Sequence, residues 1–145
     1  MAAHPVDYTS VRLLARQFGK VPVDLRRELR PKLRQAGEHV RSGIREEAAR
    51  FSDTIPRAVR MSVSFASKTG GIRIYVDQKA APGARALENL GREGTFRHPV
   101  FGNRDVWVAQ PAHPFFFRVV QRERPRVRKL VEDAVRASLP KGTIT

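Results

Sequence analysis

Two histidines and an asparagine, His98, Asn103 and His113, are the side chains in this 145-residue chain whose order could support chemistry. A His-Asn-His set can hold a divalent cation and offer one imidazole as general base for phosphodiester hydrolysis. The flanking residues argue against that use. Each histidine is followed by proline, in HPVFG and HPFFF, and no acidic ligand cluster adjoins them apart from Asp105. Both read as packing residues beside stiff backbone. His4 sits near the N-terminus and His39 has no histidine or carboxylate partner four residues on, so neither suggests a metal site.

Other routes to catalysis are equally bare. The chain has no cysteine, which removes thiolate nucleophiles, zinc-thiolate sites and any disulfide framework. No serine lies in a nucleophile-elbow context. Gly70-Gly71 is too short to cradle a phosphate. Glu46-Glu47 and Glu132-Asp133 are neighbours on helical segments and so point apart, which does not make a paired-carboxylate site. The expectation is a protein that is not an enzyme and has no cofactor or metal.

Charge is the stronger signal. Lysine and arginine number 28 against 14 acidic residues, a net charge of +14, and 22 of the 28 are arginine. Guanidinium pairs in planar fashion with phosphate or carboxylate, so the partner should be anionic, either DNA or an acidic protein surface. Two sets are candidates to face it: Arg26, Arg30, Arg34, Arg41 and Arg45 early in the chain, and Arg122, Arg126 and Arg128 late in it. No zinc finger or helix-turn-helix spacing accompanies them, so sequence-specific reading of DNA is not expected. No run approaches the roughly 18 apolar residues of a membrane span. The start MAAHPVDYTS has neither the basic nor the apolar region of a secretory leader.

Elements must position these groups. Residues 8–18 predict a short helix with Val11, Leu14 and Phe18 on one face. Between residues 24 and 51, Leu25, Leu29, Leu33, Val40, Ile44 and Phe51 recur at helical spacing, with Asp24 as the expected N-cap and Pro31 as an expected kink. The period then changes to two. Val59, Met61, Val63 and Phe65 alternate with polar residues, and Ile72, Ile74 and Val76 do the same after Gly70-Gly71, which predicts a β-hairpin over about 58–77. A loop with a short helix near residues 85–90, a third strand at about 104–110 and a long last helix complete the pattern. That helix begins near Pro114, carries Val120, Val127, Leu130 and Val131, and should cover the sheet. The fold class is α+β in a single domain, residues 1–20 forming an arm and 140–145 a frayed tail.

Residues 94–117 gather five of the eight phenylalanines and the single tryptophan. Phe96, His98, Phe101, Trp107, Phe115 and Phe116 are therefore candidates for a subunit interface, the other use of the aromatics being to fill the monomer's own core.

The segments ARALENLGREG (84–94), HPVFG (98–102), VWVAQPAHPFF (106–116) and the helix RVVQRERPRVRKLVEDAV, in this order after a basic helix and a hairpin, resemble the tail-completion family of long-tailed bacteriophages, the neck or head–tail connector proteins, most nearly those of actinobacteriophages. Leu87 and Leu90-Gly91 stand where the family usually has an aromatic and Gly-Thr. The resemblance implies a non-enzymatic virion subunit, made in the host bacterial cytoplasm. It would form a homo-oligomeric ring, six-fold or alternatively twelve-fold, between the capsid connector or stopper and the tail terminator or tube. DNA would pass through its channel. A small non-specific DNA-binding protein is the alternative reading of the same charge.

Overall fold

The computed structural model describes residues 9–13, 21–66, 70–100 and 102–138. Strand β1 (Ser10–Leu13) is followed by the long helix α1 (Val23–Ala49), one turn of helix α2 (Ile55–Ala58), and strands β2 (Val59–Ser64) and β3 (Gly71–Val76). Helix α3 (Ala84–Glu88) runs into a 3-10 turn (Asn89–Gly91). Strands β4 (Thr95–Val100) and β5 (Asn103–Pro111) and the last helix, α4 (Phe117–Ser138), close the chain. The class is α+β, as the periodicities predict.

β2 and β3 form the expected antiparallel hairpin, Val59 opposite Val76 and Val63 opposite Ile72. The third strand of this sheet is β1, in the order β1-β3-β2. The helix predicted over 8–18 is thus corrected where it is described: Ser10–Leu13 is a strand, and residues 14–18 lie outside the described part. Val11 and Leu13 alternate with Ser10 and Arg12, so a period of two fits this stretch as well as a helical one. Pairing with β3 decides it, placing Val11 opposite Ile74 and Leu13 opposite Ile72 on the core face.

α1 occupies the middle of the molecule. Its buried residues Leu29, Leu33, Val40 and Ile44 face β2 and β3 on one flank and α4 on the other. Gly37 permits the first contact: a Cβ there would lie 2.7 Å from both the Ile72 side chain and the Met61 sulfur. The expectation that the last helix covers the sheet is therefore wrong. α1 does so, and α4 packs on α1 through Val119, Val120, Val127 and Val131. Leu130, expected in that stripe, is exposed instead.

Two local expectations also change. Pro22, not Asp24, occupies the N-cap of α1, and its carbonyl accepts from Leu25 N–H at 3.1 Å. Asp24 still serves the helix, since a carboxylate in the first turn meets the positive end of the dipole. α1 runs through Pro31 and α4 through Pro125. Both prolines are solvent-exposed, so the carbonyls they leave unpaired face water.

Candidate functional site

The expected third strand, 104–110, is real but belongs elsewhere. Among the described residues β5 pairs with β4 alone in a second, two-stranded sheet, Phe96 opposite Gln110, His98 opposite Val108 and Pro99 opposite Trp107. β4 is not among the expected strands; its Pro99 is admitted because among the described residues the hairpin has no further strand to bond. A register shift follows Pro99, and Val100 pairs with Asn103.

Every residue of β5 is exposed. Phe96, His98, Val106 and Val108 share one face, and Trp107, Ala109 and Pro99 the other, by strand alternation. Val106 is 48% exposed, Trp107 47% and Val108 38%. The Trp107 indole N–H donates to the Arg104 carbonyl at 2.6 Å, which fixes the ring along its own strand. The strands contact chiefly each other. The hairpin therefore carries apolar side chains on both faces, with β5 exposed along its length, β4 half-buried, and no other described element packed extensively on either strand.

Its base is held firmly. Ala112 N–H donates to the Gly94 carbonyl at 2.8 Å and His113 N–H to the Leu87 carbonyl at 2.8 Å. Beyond this point the Glu88 carboxylate, fully buried, accepts from three successive backbone amides: Phe115 N–H at 2.8 Å, Phe116 N–H at 2.9 Å and Phe117 N–H at 2.9 Å. Those donors lead into the first turn of α4, where unpaired amides and the helix dipole favour an anion. Burial pushes the Glu88 carboxyl above its ordinary value, and the three amides and Arg118 act in the opposite direction. Gly91, at φ +75°, lies against Phe117: a Cβ there would come within 3.0 Å of the ring. Segments 84–94 and 106–117, which carry the sequence resemblance, are thus one structural unit joined through Glu88. Sequence reasoning gave Glu88 no role. The signal was weak, a single carboxylate in ALENLG whose partners lie 27 to 29 residues further on.

The candidate interface residues divide. Phe115 and Phe116 are each only 1% exposed and belong to the monomer core, packed edge to face with centroids 6.4 Å apart. This removes them from the interface set. Phe96, His98 and Trp107 lie on the hairpin, and Phe101 lies outside the described residues.

The histidines are not brought into a shared site. His98 Nδ1 is 3.1 Å from the Pro99 carbonyl, its ring 5.9 Å from that of Phe96, and its buried Nε2 has no partner. His113 stacks on Phe51 at 4.7 Å. Asn103 accepts from Asp105 N–H at 3.0 Å, a local turn. His4 lies outside the described residues, and among those described no cluster of three or more His, Asp or Glu could hold a metal. A cleft of about 360 Å³ beside His113 is lined by Glu47, Arg50, Glu93 and Arg118. Its charges pair with each other, Arg50 with Glu47 at 3.5 Å and Arg118 with Glu93 at 3.1 Å.

The arginines named from sequence also divide. Arg30 Nη1 donates to the Val63 carbonyl at 2.6 Å and Arg45 Nη2 to the Val59 carbonyl at 3.3 Å. Both carbonyls belong to the outer edge of β2, so α1 closes that edge with guanidinium donors. Burial, with Arg41 and Arg60 nearby, lowers the Arg45 pKa, and Glu38 offsets part of this. Arg26 donates to the Val21 carbonyl at 3.2 Å, and Arg26 and Arg30 both lie over the Phe65 ring. Arg41 pairs with Glu38. Arg34 of the α1 set is exposed and has no hydrogen-bond or ion-pair partner among the described residues. On α4, Arg122 and Arg126 share Glu123, and Arg128 is exposed.

The chain matches no family model, no curated protein and no solved structure.

Proposed function

We propose that the chain is a structural virion subunit that assembles with copies of itself into a ring at the head–tail junction of a long-tailed bacteriophage, with six copies favoured. The observation that carries this reading is the β4–β5 hairpin, apolar on both faces, exposed all along β5, and fixed at its base by Glu88. An isolated two-stranded hairpin is marginal in water, so a rigidly rooted one with exposed tryptophan and valines is suited to burial against another chain. Head-to-tail contacts of this kind put two different surfaces of each subunit together and generate rings where the rotation closes. The resemblance of residues 84–117 to tail-completion proteins supports the same reading. It supplies the neighbours: the head connector or stopper on one side and the tail terminator or tube on the other. Among the described residues no helix is long and apolar enough to cross a membrane.

Sedimentation of the purified chain with negative-stain imaging, alone and with phage tails, tests this. Discrete rings, or incorporation at the neck of particles, are expected. A chain that stays monomeric at high concentration and never enters particles overturns it. That outcome would favour the second reading, a small non-specific DNA-binding protein, which the net charge of +14 supports.

A further inference from the structure

The three-stranded sheet has a second face, away from α1, and its chemistry is uniform. Strand register puts Arg12 of β1 directly opposite Arg73 of β3, with Ser62 of β2 on the far side. One step along, Ser10, Tyr75 and Arg60 form the next row. Arg12, Arg60 and Arg73 are exposed, and none has a carboxylate partner among the described residues. The strands carry no acidic residue on this face. The nearest in phase, Asp77, is engaged in a turn, accepting from Lys79 N–H at 3.0 Å. Like charges directly opposite on adjacent strands destabilise a sheet. A face that holds Arg12 against Arg73, with Arg60 nearby and no ion-paired carboxylate among the described residues, is suited to an external anion.

The geometry points to the phosphate backbone of duplex DNA as that anion, with Arg12, Arg60 and Arg73 as the contacts. Strand spacing and rise put the three backbone positions within roughly 12 Å of one another, a compact cationic patch. The face lacks the apolar centre that a protein–protein interface normally buries; its one large apolar group is the ring of Tyr75. That ring is already covered by the Arg73 guanidinium, 4.1 Å from its centroid, so it is not an open platform for stacking unpaired bases. Phosphate contact without base reading is what remains, and duplex suits it better than single strand. The arginines of α1 are largely engaged with backbone carbonyls or Glu38, which leaves the sheet face as the better-exposed patch.

This assignment is read on the isolated chain and does not require ring assembly, so either proposal can fail without the other. The test is binding of a short, labelled, random-sequence duplex by the full chain over a salt series. It compares wild type, the triple variant Arg12→Gln/Arg60→Gln/Arg73→Gln, and Arg122→Gln/Arg126→Gln/Arg128→Gln, each confirmed folded by circular dichroism. Three lost phosphate contacts should reduce the slope of log affinity against log salt by about 2.7, so the fall in affinity between about 50 and 200 mM salt becomes about 40-fold shallower. The α4 variant should change the slope by less than about 1. Wild-type chain that fails to bind duplex at low salt overturns the proposal. So does an unchanged slope in the sheet variant. A sheet variant that loses binding to polyglutamate and keeps it for duplex would assign the face to an acidic protein, and overturns it equally.

Discussion

The molecule contains two β-hairpins built from similar material and used in opposite ways. In β2–β3, valine, methionine and isoleucine alternate with arginine and serine, and the apolar set is buried under α1. In β5 the run Val106-Trp107-Val108-Ala109 places apolar groups on both faces. A strand that reads apolar on both faces is normally one buried on both. Here it is buried on neither. The difference teaches that alternation identifies an inside only when one face is polar, and the continuous apolar run on an exposed strand is the ground for proposing cover by another chain.

The largest effects should come from the core side of this comparison. Phe116→Ala should cost about 3–5 kcal/mol, because a fully buried aromatic leaves a cavity. Chemical denaturation followed by circular dichroism measures it, and a loss below about 1 kcal/mol would mean that the ring is not core. Glu88→Ala should be of similar size. It leaves buried amides at Phe115 and Phe116 without an acceptor, and hydrogen bonds to charged groups contribute about 1.5–3 kcal/mol each. It should also loosen the hairpin's base, seen as faster amide exchange at residues 112–117 than in Phe116→Ala at matched global stability.

The same carboxylate gives a pH signature. Its folded pKa lies above the ordinary 4.5 because burial opposes the charge, so the folded state binds a proton more readily than the unfolded chain. The part of the stability linked to its protonation is therefore fully present below about 4.5 and is lost as pH rises through the folded value, while the amide hydrogen bonds persist. Glu88→Gln should flatten that segment of the stability–pH curve. An unchanged curve would assign the slope to other groups.

On the hairpin the pattern should invert. Trp107→Ala removes an exposed side chain and should change monomer stability by less than about 1 kcal/mol. In sedimentation it should shift assembled chain toward folded monomer. Retention of full assembly would show that Trp107 lies outside the contact, and an unfolded variant would place it in a core.

These opposite outcomes track what the sequence made legible. α1, β2 and β3 could be read from their periods because each has one apolar and one polar side. α4 could be read as a helix, but it packs against α1 at Gly43, where a Cβ would lie 2.8 Å from the Val119 side chain, and periodicity does not weigh such a close approach. β1 was hidden because Val11, Leu14 and Phe18 satisfy a helical spacing as readily as Ser10–Leu13 satisfies alternation, and only pairing with β3 decides. Trp107 was legible as a candidate interface residue, whereas Phe115 and Phe116 were not separable from it by residue type. Glu88 was illegible in role because its amide partners are distant in sequence. Arg60 and Arg73 stood on the polar side of a legible hairpin, yet the patch they form with Arg12 needs β1.

The smallest effect tests whether the link between core and hairpin is strained. Asn89 and Leu90 follow Glu88 with φ of 49° and 58°. Asparagine adopts this left-handed region readily, but for leucine it costs roughly 1–2 kcal/mol, and the Leu90 side chain is more than half exposed, so burial returns little. The tight reversal is imposed by the neighbouring anchors, Glu88 on the amides of α4 and Gly91 against Phe117. Leu90→Gly should therefore raise stability by about 0.5–1 kcal/mol, the relieved strain exceeding the added freedom of the unfolded chain. Because the anchors stay in place, assembly should be unaffected. Higher stability with lost assembly would mean that the exposed Leu90 itself is part of the contact surface, extending the uncovered apolar region from the hairpin down to its base.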